Sequence, residues 1–251
     1  MTRPRLLLVE DDASIRRFVG LAVEDLELDL VQAASLRGAI DALRSGPFTM
    51  VMCDLMLPDG NGFDLLQSLA DADSPSPQAH RVAFSAGVSA QARERLQAIG
   101  VHEVLAKPAS LGALLDCVQR GLARAEAPAA PVRPAVDGCG SDDDTDAVAR
   151  YFGGNQVLYD AFASQCRLRW PIDAAQGEQA AAAADLPALR RLAHSLKSVL
   201  LSLGYTADGT LARDIETLCT EGLGDEAWAA WQRLRDRLLA RADGSHTAAK
   251  A

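Results

Sequence analysis

Two groups of residues carry chemistry. The first is spread along the chain: Glu10-Asp11-Asp12, Asp54, Ser85 and Lys107-Pro108. Clustered carboxylates repel one another, and a divalent cation relieves the repulsion. Hard oxygen donors, few of them from protein, suit Mg²⁺, which keeps several waters and also takes phosphoryl oxygens. Asp54 is then placed to attack a phosphoryl group and form an aspartyl phosphate. Mg²⁺, Lys107 and Ser85 would hold the equatorial oxygens of the transferred group. Pro108 is positioned to hold a cis bond that aims Lys107 inward. The second group is compact. His194 has Arg190 and Arg191 one helical turn before it, and Lys197 and Ser198 one turn after. Neutral imidazole is a good nucleophile toward phosphorus, and neighbouring cations keep it neutral and stabilise incoming phosphoryl charge.

The elements that must position the first group are short apolar runs: Arg5–Val9, Leu28–Gln32, Phe48–Cys53, Arg81–Ser85 and Glu103–Ala106. Stretches of helical period lie between them, such as Ala13–Glu27 and Leu36–Arg44. This alternation predicts an α/β, doubly wound, five-stranded parallel sheet covered by helices on both faces. In such sheets the functional crevice lies beyond the carboxyl ends of the strands. The first run ends in Glu10-Asp11-Asp12, the third in Asp54, the fourth in Ser85 and the fifth in Lys107. A single acid at a strand end is an ordinary solvated loop residue. Carboxylates, a hydroxyl and an ammonium gathered on one sheet edge are not.

The second group needs a helix. Residues 125–140 hold Pro128, Pro131 and Pro134 without strand or helix period, and read as a Pro/Ala-rich linker after a domain at 1–124. Beyond it, 141–243 has the pattern of a four-helix bundle, with a disordered tail expected at 244–251. Asp142-Asp143-Asp144 is suited to cap a short helix. Longer helices are predicted at Gln156–Ala184, kinked by Pro171, at Leu186–Leu203, stopped by Gly204, at Thr210–Thr220 and at Asp225–Ala242. At ~100° per residue, Leu186, Leu189, Leu196, Val199, Leu200 and Leu203 share one stripe of the second helix. His194 falls on the opposite, solvent face. No acid of the same helix shares that face to orient the ring, and Leu201 lies there without a core role to explain it.

Composition narrows the classes. The chain has 251 residues, 49% hydrophobic and 24% charged, with a formal net charge of −9. Both halves are acidic, which argues against nucleic-acid binding. No apolar run reaches the ~18 residues of a membrane helix, so no membrane insertion is expected. Five cysteines without a CxxC pair speak against a disulfide framework or a zinc knuckle. A cytoplasmic location is expected.

Residues 1–124 resemble a two-component response-regulator receiver domain. The resemblance rests on Val9-Glu10-Asp11-Asp12, Cys53-Asp54-Leu55-Met56-Leu57-Pro58-Asp59-Gly60, Ser85-Ala86 and Lys107-Pro108. It implies a flavodoxin-like fold, Asp54 as phosphoacceptor, and Mg²⁺ held by Asp11, Asp12, Asp54 and the Met56 carbonyl. Ser85 and Lys107 would contact the phosphoryl group. Val104 stands where the family often has Tyr or Phe, so the usual aromatic rotamer switch cannot operate in its standard form. Ala193-His194-Ser195-Leu196-Lys197-Ser198 and Leu203-Gly204 resemble histidine phosphotransfer (HPt) domains, with Ser198 at a common glycine position. That implies His194 as phosphoacceptor, assisted by Lys197. Together the resemblances imply a phosphorelay protein without a conventional turnover substrate. A separate sensor histidine kinase would load Asp54, and His194 would exchange with a downstream receiver. A receiver-gated HPt module, a phosphate sink and a non-chemical kinase-docking module are the alternative readings.

Overall fold

The computed structural model describes residues 3–71, 73–123 and 147–243, which fall into two units within 1–140 and 141–251. The expected linker 125–140, the Asp142–Asp144 cap and the tail 244–251 lie outside the described residues.

In the first unit the strands β1 (Arg5–Val9), β2 (Asp29–Ala33), β3 (Met50–Cys53), β6 (His80–Ser85) and β7 (Glu103–Ala106) form one parallel sheet in the order β2-β1-β3-β6-β7. Its helices are α1 (Ala13–Ala22), α2 (Leu36–Leu43), α3 (Gly62–Ser68), α4 (Ala90–Ala98) and α5 (Leu111–Ala123). A two-residue hairpin, β4 (Met56–Leu57) with β5 (Gly60–Asn61), follows β3 and was not foreseen from the sequence. Burial on both sheet faces explains the continuous apolar runs: Leu6–Val9 and Met50–Cys53 are each 0% exposed. The register pairs Val9 with Cys53 and Ser85 with Ala106, so the residues that follow them emerge side by side on one edge. α1 stops at Ala22, short of the expected Glu27, because Val23 leaves the helix and packs into the core at 3% exposure.

The second unit contains α6 (Ala147–Phe152), α7 (Gln156–Ala182), α8 (Leu186–Ser202), α9 (Thr206–Glu221) and α10 (Gly224–Ala242). α7 runs through Pro171 as one helix. The four long helices close a ring in which α7 packs on α8, α8 on α9, α9 on α10 and α10 on α7. The core holds Trp170, Trp231, Leu189, Leu200, Leu234 and Leu238. α10 approaches α7 at Gly177, where an added Cβ would lie 1.9 Å from Trp231 Cζ2. Gly204 has φ +80°, and the Tyr205 amide donates to the Leu200 carbonyl at 2.9 Å, which ends α8 at the predicted glycine. α9 begins a turn earlier than its apolar pattern indicated. The buried carboxylate of Asp208 in that turn accepts hydrogen bonds from Arg237 and Arg241 of α10, both at 2.9 Å.

Candidate phosphoryl-acceptor sites

At the carboxyl edge of the sheet, the Asp54 amide donates to the Val9 carbonyl (2.8 Å), and the Lys107 amide donates to the Ser85 carbonyl (3.0 Å). The ladder therefore places the ends of β1, β3, β6 and β7 together. Asp54 is 2% exposed; its Oδ2 accepts from Lys107 Nζ at 2.5 Å and its Oδ1 from the Met56 amide at 3.0 Å. Lys107 Nζ also pairs with Glu10 and sits 4.8 Å from the centre of the Phe84 ring. The Lys107–Pro108 bond is cis. Ser85 lies buried at the end of β6, 3% exposed.

One carboxylate oxygen from each of Glu10, Asp11 and Asp54 lies within 4.8 Å of the other two. Asp12, named from the sequence as a ligand, is outside this triad, and Glu10 takes its place. The reason is local. Asp12 caps α1: its Oδ1 accepts from the amides of Ser14 (2.8 Å) and Ile15 (3.0 Å). Burial pushes Glu10 up to about 8, with Lys107 pulling the other way and Asp54 adding to the rise. Burial, and then Asp54, raise Asp11 as well. Burial alone would lower Lys107, but Glu10 and Asp54 outweigh it and hold it above its ordinary value. Three crowded acids face one ammonium, and their donor set of hard oxygens fits a small divalent cation.

Gly62 lies directly against the Asp54 backbone. An added Cβ there would lie 1.8 Å from the Asp54 carbonyl oxygen and 2.8 Å from Cys53 Sγ. Backbone cannot yield as a flexible side chain does. Gly62→Ala is expected to destabilise the first unit by about 3 kcal/mol. Urea denaturation followed by circular dichroism tests this. Trp170, Trp228 and Trp231 are the only tryptophans and all lie in the second unit, so the tryptophan fluorescence transition should stay in place. Unchanged stability of the first unit would show that this crowding is unimportant.

The second site differs from its sequence reading. His194 is 5% exposed rather than solvent-facing. α9 lies along the face of α8 that carries His194 and Leu201. It can approach because Gly209 has no side chain: an added Cβ would lie 2.6 Å from Leu201 Cδ2. That approach gives Leu201 its packing role and supplies the acid that α8 lacks. His194 Nδ1 is 2.7 Å from Glu216 Oε1, and Lys197 Nζ donates to Glu216 Oε2 at 2.6 Å. Lys197 is thus paired with a carboxylate rather than free to crown the imidazole. Burial opposes charge on Glu216, but hydrogen bonds and charge from His194 and Lys197 prevail and bring it down to about 2. An ionised carboxylate only accepts, so the Nδ1 that faces it carries a proton, and Nε2 is the ring nitrogen left to offer a lone pair. Nε2 and the Ser198 hydroxyl, one turn on, are both buried without a hydrogen-bond partner among the described residues.

Family models match both regions: the response regulator receiver domain at residues 6–119 and the Hpt domain at residues 165–244. The chain is a receiver domain followed by an Hpt domain. The chain is similar to the response regulator protein PilR of Pseudomonas aeruginosa, 33% identical over 53% of this chain and 29% of PilR. It is also similar to the aerobic respiration control sensor protein ArcB of Escherichia coli, 29% identical over 44% of this chain and 16% of ArcB. This receiver–Hpt chain therefore spans less than a third of these relatives' own length. Among solved structures, the non-phosphorylated HemR receiver domain of Leptospira biflexa is 30% identical with a TM-score of 0.43, covering 52% of this chain and all of that one.

Sequence reasoning missed two residues that line these candidate sites. Glu10 was visible as the first of three acids, but the cap made by Asp12 decides which of them turn inward. Glu216 lies 22 positions from His194, and nothing in the pattern of α8 points to it. In the receiver half, Val104 packs in the core at 5% exposure. No helix among the described residues is long and apolar enough to cross a membrane.

Proposed function

We propose that this chain is a phosphorelay protein that accepts a phosphoryl group on Asp54 from a separate histidine kinase and carries phosphohistidine on His194. The observation that supports this most is the pairing, on one chain, of a buried Asp54–Lys107 contact among crowded acids with a histidine whose Nδ1 is held by Glu216. In the first step Asp54 Oδ attacks phosphorus, a P–O bond forms, and the P–N bond to the kinase imidazole breaks. The leaving nitrogen takes its electron pair. Lys107 and Ser85 would hold phosphoryl oxygens. Glu10, Asp11, Asp54 and the Met56 carbonyl would hold Mg²⁺, which supplies positive charge against the developing phosphoryl oxygens. Asp12 stays engaged with α1.

In the second step His194 Nε2 attacks phosphorus and the acyl-phosphate bond breaks, returning the Asp54 carboxylate. Nδ1–H remains on Glu216, which stabilises the positive charge on the phosphorylated ring. A separate receiver would then take the group from His194. Both acceptors are protein side chains, so no diffusible turnover substrate is required.

The enclosed Nε2 favours a second reading, in which loading of His194 is gated by an opening between α8 and α9. Both readings predict alkali-stable label on His194. Incubation of the full chain with a radiolabelled phospho-kinase is expected to give alkali-labile label on Asp54 and then alkali-stable, acid-labile label. His194→Gln should abolish only the alkali-stable fraction. Persistence of that fraction in the variant, or its absence from the wild type, would overturn the proposal.

A further inference from the structure

The outer face of α7 is apolar and uncovered. The helix buries Phe162, Cys166, Trp170 and Gly177, and on the opposite side presents Val157, Ala161, Leu168, Ile172 and Ala175. The large members are 79% (Val157), 72% (Leu168) and 54% (Ile172) exposed. At ~100° per residue these five positions fall within a ~60° arc, a stripe rather than scattered side chains. From Val157 to Ile172 it runs ~22 Å at 1.5 Å per residue. Such a stripe marks an interaction site more often than an idle surface.

The order of residues along the stripe identifies the occupant. We propose that the α7 face pairs with the same face of a second copy of this chain, the two helices antiparallel. The pattern is symmetric about the midpoint of Ser164 and Gln165. Turned end for end on that point, Val157 meets Ile172 of the other copy, Ala161 meets Leu168, and Ser164 meets Gln165. The small Ala161 leaves room for the large Leu168, and a small polar residue stands where the helices cross.

The flanking charges agree. Asp160 and Arg167 lie on one edge of the stripe, ~20° apart around the helix axis. They are seven residues apart, too far to pair within the helix. Among the described residues Asp160 accepts from Gln156 (2.9 Å), and Arg167 contacts Ser164 (3.3 Å). The antiparallel arrangement brings Asp160 of one copy to within ~3 Å of the level of Arg167 of the other, on the same edge. Symmetry repeats the pair. A parallel arrangement would put the Asp160–Arg167 edges of the two copies on opposite sides of the interface, so these residues would not meet. One helix face buries less than the ~1,200 Å² of a stable interface, so the dimer is weak, forming at roughly tens of micromolar.

Sedimentation equilibrium of the full chain from about 5 to 500 µM tests this. The expected weight-average mass rises from 26.6 kDa toward twice that value. Leu168→Glu, which replaces an exposed residue and should keep the tryptophan fluorescence of the wild type, is expected to stay monomeric throughout. Asp160→Arg and Arg167→Asp should each weaken association about tenfold, and the double variant should restore it to within about threefold. A monomer at every concentration, undiminished association in Leu168→Glu, or a double variant no better than the singles would overturn the antiparallel pairing. A compact monomer with the stripe protected from hydrogen exchange would assign the face to another segment of the chain instead.

Discussion

Asp54→Asn is expected to abolish acyl-phosphate formation and to slow the loading of His194 by at least about a hundredfold. The amide still accepts the Met56 hydrogen bond but is no nucleophile, and the charge facing Lys107 is gone. The same change should leave stability unharmed. Glu10, Asp11 and Asp54 crowd a single lysine, so removing one charge relieves repulsion while Glu10 keeps Lys107 paired. Mass spectrometry after incubation with acetyl phosphate and Mg²⁺ measures the first effect directly. Kinase-dependent label on His194 measures the second. A phosphoryl adduct on the Asp54→Asn receiver would move the acceptor elsewhere. Adduct lost but His194 loaded at the wild-type rate would instead sink the serial route from Asp54 to His194, leaving two independent sites.

The receiver pocket was legible because a parallel sheet writes itself plainly in sequence. β1 and β7 coincide with their predicted limits, while β3 and β6 differ by one or two residues at one end and β2 by one residue at both. Once the strands are placed, Asp54, Ser85 and Lys107 must share an edge. What the pattern cannot say is which of three consecutive acids face inward. That is settled by α1, whose first amides need an acceptor and take it from Asp12. The hairpin after β3 was invisible for a similar reason: two-residue strands have no period.

The second site was less legible. A helical wheel ranks the faces of one helix by its own residues, and on that basis His194 points to water. The wheel is blind to a neighbour that covers the polar face. Gly209 admits α9 there, and Glu216 arrives with it. The buried face of α8 is thus wider than its leucine stripe, and includes His194 and Ser198. The position of His194 on α8 was right, while its environment was set by a helix whose contribution the local pattern does not encode.

Glu216→Gln tests that environment. In the proposed route the ionised Glu216 holds the proton on Nδ1 and leaves Nε2 as the nucleophile. A glutamine of the same shape removes the charge, and its amide can present either a donor or an acceptor to the ring. The tautomer is then no longer fixed, and the positive charge that develops on a phosphorylated imidazole loses its counter-charge. Acceptance at His194 is expected to fall on the order of tenfold to a hundredfold, with Asp54 chemistry unchanged. A purely structural role would lower stability but leave the loading of His194 at the wild-type rate, so kinase-dependent labelling separates the two, and acid unfolding reports the charge that Glu216 carries in the fold. Glu216 is depressed to about 2 in the folded chain from 4.5. The stability it contributes is therefore present above pH 4.5 and is lost as pH falls through about 2. Tryptophan fluorescence reports the second unit alone, since all three tryptophans lie there. The wild type should lose stability across that interval, and Glu216→Gln should show a shallower dependence there. Equal acid limbs in the two proteins, together with wild-type loading of His194, would mean that Glu216 neither carries the charge nor directs the imidazole.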